Sequence, residues 1–188
     1  MLYLPPRYAH DGIAEGECMT YSVGFRAPKQ DEVARDLLQR LADQADEALD
    51  DRIYKDADQP ATALPGAIPA SLQNFAHTAL QALLKDPLRW QRALGESLSE
   101  PKPQVWFQPG TENLPSGGVV LDRRSRMLYD DTHIYLNGES WKAAGADARV
   151  LKKLADHGHL TPNDLARCSD QVLDCIRDWC EAGWLRPE

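Results

Sequence analysis

The sequence contains no apolar run near the ~20 residues that a membrane-crossing helix requires, which excludes an integral helical membrane protein. It is also poor in base. Against 29 Asp+Glu there are 21 Lys+Arg, for a formal charge of −8 and a pI of about 5.1. Phosphate backbones are bound by concentrated positive surface, so the charge balance weighs against a large nucleic-acid footprint and leaves room for a local basic patch. Cysteine is sparse: Cys18, Cys168, Cys175 and Cys180 are too few for a disulfide framework in 188 residues. The last three are separated by seven and five positions, neither of which is a zinc-knuckle spacing, so reduced and at least half-buried thiols are expected. GxSxG, P-loop and GxGxxG patterns are absent. The opening run Met1-Leu2-Tyr3-Leu4-Pro5-Pro6 lacks the basic start and apolar core of a signal peptide, and a cytoplasmic address is expected.

What is present is ordinary soluble-globular usage, with 43% apolar and 27% charged residues in 21.0 kDa. Three regions separate by pattern, and together they read as α+β. In residues 1–28, Met19, Tyr21, Val23 and Phe25 alternate with Thr20, Ser22 and Gly24, as in a strand with one apolar and one small polar face. Such a strand suits a barrel wall or a sheet with one wet side. A strand pair starting at residue 2 has nothing before it to pair with, and two strands do not stand alone in water. These residues therefore read as the end of a domain whose beginning is missing.

Residues 29–100 read as helical. Val33, Leu37, Leu38, Leu41, Ala45 and Leu49 make one apolar stripe, with Asp31 placed as its cap. A polar loop over 50–65 follows, then a helix opening at Pro69 with Leu72, Phe75, Ala76, Leu80 and Leu83. A third helix opens at Pro87 and carries Leu88, Trp90 or Gln91, Leu94 and Leu98. Three such stripes form a thin layer that must be covered by a neighbour, and a second copy of the chain is the economical cover. Four prolines and three glycines between Glu100 and Gly118 mark residues 101–118 as a linker.

Residues 119–188 predict short strands at 119–121, 127–129 and 133–136, with Asn137-Gly138 as a hairpin turn. Helices are predicted over 147–156, 161–168 (opened by Thr161-Pro162) and 170–182, with Trp184-Leu185 returning as a last strand. Strands around a three-helix unit suggest a winged-helix-like module. Its last helix would be the reading helix in a DNA complex, yet it carries Asp170, Asp174, Asp178 and Glu181 against Arg177 alone. Acid of that density repels phosphate, so DNA is not the expected partner. Arg123, Arg124 and Arg126 read as a solvated hairpin tip. Of the histidines, His77 and His133 show no obvious partner, and His157 and His159 flank a helix end. His10 stands apart, held between Pro5-Pro6 and the Asp11-Gly12 turn.

The run Leu2-Tyr3-Leu4-Pro5-Pro6-Arg7-Tyr8-Ala9-His10-Asp11-Gly12, followed by residues 19–28, resembles the end of the catalytic domain in bacterial JmjC-type (cupin) ribosomal oxygenases, arginine hydroxylases of a large-subunit ribosomal protein. Tyr54-Lys55-Asp56-Ala57-Asp58-Gln59-Pro60 is similar to a loop of the same family. The resemblance implies remnant cupin-barrel strands over 1–28, a helical dimerisation region over 29–100 and a winged-helix-like domain over 119–188. It also implies an Fe(II)- and 2-oxoglutarate-dependent dioxygenase, with His10 as one iron ligand and Thr20 and Ser22 on the cosubstrate face. The HxD pair that supplies the other two ligands is absent from this sequence. His10-Asp11 does not replace it, since adjacent residues on extended chain point to opposite sides. The resemblance thus names an enzyme class, while this chain lacks two of the three iron ligands. It is expected to bind neither Fe(II) nor 2-oxoglutarate tightly, and Met1 is expected to be an internal methionine of a longer parent. Homodimerisation and the shaping of a surface for a ribosomal-protein substrate are the expected roles. The alternative is a stand-alone winged-helix binding protein.

Overall fold

In the computed structural model the described residues are 2–5, 7–19, 21, 23–24, 27–110 and 117–188. The described residues before Lys29 contain no strand, in contrast to the period-two expectation. Tyr3, Met19, Tyr21 and Val23 are all exposed. A β-ladder needs a partner backbone, and among the described residues none pairs with this segment, so alternation by itself does not produce a strand there.

Helix α1 (Gln30–Asp43) starts one residue before the expected cap. Lys29 is the N-cap residue, and Asp31 and Glu32 lie in the first turn, where carboxylates meet the positive end of the helix dipole. The single stripe expected through Leu49 is broken at Gln44, and a short α2 (Ala45–Ala48) follows. Helix α3 (Ala70–Lys85) follows Pro69, and α4 (Pro87–Ser99) is opened by Asp86, whose carboxylate accepts the Leu88 N–H at 3.0 Å. The 50–65 segment is a loop as expected. Its Tyr54 hydroxyl lies 2.7 Å from Ser71 Oγ and its ring packs at 5.7 Å on Phe75.

Two antiparallel sheets follow. Strands β1 (Val119–Leu121), β2 (Met127–Tyr129), β3 (His133–Leu136) and β4 (Glu139–Lys142) precede α5 (Gly145–His157). Then come β5 (His159–Leu160), α6 (Pro162–Leu165), α7 (Asp170–Glu181) and β6 (Leu185–Pro187). One sheet has the order β5-β1-β6 and the other β2-β3-β4. Asn137 and Gly138 close the β3–β4 hairpin with φ of 51° and 94°, as the turn requires. Thr161 and Asp164 form a reciprocal capping box on α6, and Ser169 caps α7. The core gathers Val119, Ile134, Leu136, Leu154, Leu160, Ile176, Trp179 and Leu185, with Trp141 edge-on to Trp179 at 4.9 Å.

All four β3 residues are buried because the hairpin is covered on both sides. Ile134 and Leu136 face the core, while Tyr135 and Ser140 meet α4. The buried face of α4 is Ala93, Gly95, Glu96 and Ser99, not its leucine stripe. A Cβ at Gly95 would overlap the Tyr135 ring. Leu88, Trp90 and Leu98 stay exposed at 45%, 38% and 44%. The expected linker is also partly docked. Gly110 N–H donates to Glu181 O at 2.9 Å, and Phe107 packs on Trp184 at 6.4 Å.

Candidate functional site

His10, the expected iron ligand, is exposed, and its Nδ1 lies 3.4 Å from its neighbour Tyr8 O. Thr20 and Ser22, the expected cosubstrate contacts, lie outside the described residues. Among the described residues, no group of three His, Cys, Asp or Glu side chains is placed to hold a metal. A facial iron site needs two imidazoles and a carboxylate, and one exposed imidazole does not make one. The described residues therefore do not fit an iron centre.

The last helix keeps the acidic face read from its sequence. Asp170, Asp174, Asp178 and Glu181 are exposed along α7. The arginines of the β1–β2 connection differ from expectation, since two of the three are tied down. Arg124 Nε and Nη2 donate to Asp122 at 2.9 and 3.0 Å, its Nη1 donates to Trp106 O at 2.7 Å, and it lies 5.5 Å over the Phe107 ring. Arg126 Nη1 donates to Glu100 O at 3.1 Å. These cations latch residues 98–107 to the winged-helix unit, a role for which local sequence carries no signal.

Asp122 is the buried centre of that latch, at 1% exposure, and Arg186 reaches it from β6 at 2.7 Å. The Arg124 hydrogen bond overcomes the cost of burial and holds the Asp122 carboxyl at about 2, against an ordinary 3.8. Asp164 is held well below the usual range by Lys153 Nζ at 2.6 Å and by Thr161. Desolvation instead raises the thiols, Cys168 to about 11, so none of the three late cysteines is an activated nucleophile.

The third buried polar group was not legible as such. His133 Nδ1 lies 2.8 Å from Thr132 Oγ1, which lies 3.0 Å from Asp130 Oδ1. Asp130 also accepts the His133 N–H at 2.7 Å and the Tyr135 hydroxyl at 2.6 Å. Burial pushes Asp130 up, but these donors together bring it down to about 2. Burial and the Asp130 carboxylate push the Tyr135 phenol well above its ordinary range. The local signal was Asp130 two and three residues before Thr132 and His133, the spacing of an Asx turn.

A family profile described as "ROXA-like winged helix" matches residues 82–186, more than half of the chain, and one described as "JmjC domain" matches residues 1–33. The chain belongs to the JmjC ribosomal oxygenase family. The ribosomal oxygenase match beginning at residue 82 takes in α4, in keeping with the packing of that helix on the β3–β4 hairpin. Among relatives, "Ribosomal protein uL16 3-hydroxylase" of Escherichia coli is 30% identical over 151 residues, 74% of this chain and 39% of that protein. A "Probable ribosomal oxygenase" of Haemophilus influenzae is 26% identical, over 98% of this chain and 52% of its own length. The chain thus spans about half the length, or less, of these two ribosomal oxygenases. Structures of the Escherichia coli ribosomal oxygenase YcfD share the fold. One superposes with a TM-score of 0.64 at 20% identity, covering 87% of this chain and 46% of the other. Another, in complex with cobalt and succinic acid, gives 0.65 at 21%, covering 87% and 48%.

Proposed function

We propose that this chain is the assembly portion of a JmjC ribosomal oxygenase, pairing protomers and shaping the surface presented to a ribosomal-protein substrate. The observation that carries this reading is the unburied leucine face of the helical layer. Leu38 on α1, Leu72, Leu80 and Leu84 on α3, and Leu88, Trp90 and Leu98 on α4 are exposed, while α4 seats its small residues against the hairpin. Apolar area of this kind is removed from water by a second copy of the same surface, the commonest closed arrangement being a two-fold dimer. The dimer is read as isologous, with the helices of region 29–100 meeting their counterparts. Sedimentation at micromolar concentration tests it; a single species of 21.0 kDa overturns it.

His10 is read as an iron ligand only in company with two ligands that this chain does not contain, and Thr20 and Ser22 as cosubstrate contacts only within a completed barrel. The chain by itself is therefore proposed to be inactive. Incubation with Fe(II), 2-oxoglutarate and a peptide of uL16 is expected to release no substrate-dependent succinate and to add no oxygen to the peptide. Either product would overturn the reading. The basic character of ribosomal proteins in general suits a chain of charge −8, whose α7 presents a row of carboxylates.

A further inference from the structure

A cavity of about 200 Å³ lies between the helical layer and the β3–β4 hairpin, with His10 not among its lining residues. Its lining is almost wholly polar, with Leu88 the exception. On the hairpin side His133 stands directly across the strand pair from Lys142. On the α4 side Arg89 and Arg92 are one turn apart and both line the space. Arg92 Nη2 donates to Gln44 Oε1 at 3.1 Å, which fixes the guanidinium at the cavity wall. Its Nε is buried without a hydrogen-bond acceptor, 3.5 Å from Glu96 Oε1.

The imidazole is built in rather than incidental. The His133 side chain is 5% exposed, and its ring stacks on Tyr135 at 6.0 Å. The Thr132 hydroxyl has one hydrogen, and Asp130 Oδ1 at 3.0 Å takes it. Thr132 Oγ1 therefore accepts from His133, and Nδ1 carries the ring hydrogen. Nε2 has no hydrogen-bond partner among the described residues. His133 lines the same space as three permanent cations, Arg89, Arg92 and Lys142. Two carboxylates also line the space, Glu47 and the α4-capping Asp86, and Glu96 behind Arg92 is shared with Arg40, so the lining itself carries three cations against two acids. The balance favours an anion. The volume suits one phosphoryl group with a short organic stem, and the chain's overall charge of −8 disfavours a long polyanion.

We propose that this cavity binds a small phosphate monoester, its phosphoryl oxygens held by Arg89, Arg92 and Lys142 and its phosphoryl group hydrogen-bonded to His133 Nε2. The test is titration of the full chain with inorganic phosphate, then phenyl phosphate, at fixed ionic strength, following the His133 ring resonance by NMR. A saturable shift is expected with both ligands. Lys142→Gln and Arg89→Gln, on side chains that reach solvent, are each expected to weaken binding roughly tenfold with an unchanged urea midpoint. Glu47→Gln removes a repelling carboxylate and is expected to tighten binding severalfold. The absence of a saturable shift overturns the proposal, as does an equal response in the Lys142 and Arg89 variants. Tighter, steeply salt-dependent binding of a single-stranded RNA oligonucleotide overturns it in favour of a nucleic-acid backbone.

Discussion

Gly95 and Tyr135 show how one missing side chain positions a helix. The ring occupies the volume that any Cβ at 95 would need, so α4 approaches the hairpin closely enough for Ser140 Oγ to donate to Glu96 Oε1 at 2.6 Å. Gly95→Ala is expected to cost about 2 kcal/mol through overpacking, read as a lower urea midpoint at unchanged slope. Asp122 gives a pH dependence whose sign follows from its lowered folded value. A depressed carboxyl stabilises the fold at pH values above its ordinary 3.8, and that stabilisation is lost as pH falls toward about 2. For this almost fully buried group the difference is about 2 kcal/mol. Asp130, also at about 2, acts in the same direction with less weight because a third of its side chain meets solvent. Unfolding by urea across pH 2–5 is expected to show this slope, and Asp122→Asn to flatten it while lowering stability at neutral pH.

At the scale of the element, the β2–β3 strands, the Asn137-Gly138 turn and the Thr161 cap were legible because each rests on contacts within a few residues, whereas β5 (His159–Leu160), which pairs with β1 about 40 residues away, was not. The α4 face was not. Its leucine periodicity marks an apolar stripe, but the hairpin selected the opposite face, on which Gly95 and Ser99 allow close approach. The docked strap at 106–110 was equally hidden, since proline and glycine content reads as linker. Gly183 (φ 74°) and Gly110 leave no room for side chains where the strap crosses the end of α7. Gly183→Ala is expected to release it, adding overlap with Gln108 O to a strained backbone, by about 1–3 kcal/mol. Faster proteolysis between residues 101 and 118 at unchanged helix content checks this.

For the whole molecule, the helical layer touches the winged-helix unit through α4 and leaves Leu38, Leu72, Leu80, Leu84, Leu88 and Leu98 outside while burying Leu41. If those leucines pair two chains, folding and association are linked, and the thermal midpoint rises with protein concentration. Leu80→Asp on α3 places a charge in that surface. It is expected to abolish the concentration dependence and yield a monomer with an unchanged far-ultraviolet spectrum, because Leu80 is 59% exposed within one chain. An unchanged dimer in Leu80→Asp would move the interface elsewhere. The candidate iron site belongs to this scale too. His10 is read as a ligand from the resemblance alone, and no partners for a ligand set lie beside it among the described residues, so no site geometry follows from local pattern.

Helix starts, turns and strand alternation are written in neighbouring residues, because capping, positive φ and periodic apolarity act within one or two turns of chain. By that means the sequence alone determined most of the winged-helix elements (β4 and β5 excepted, and α6 shorter than the 161–168 expected), the acidic α7 and the family resemblance carried by residues 2–28. The tertiary structure decided which face of α4 is buried, which arginines are tied, and that His133 and Lys142 share a cavity with Arg89 and Arg92. Those outcomes depend on close approach between segments tens of residues apart, where fit and desolvation select among faces that the pattern leaves equivalent.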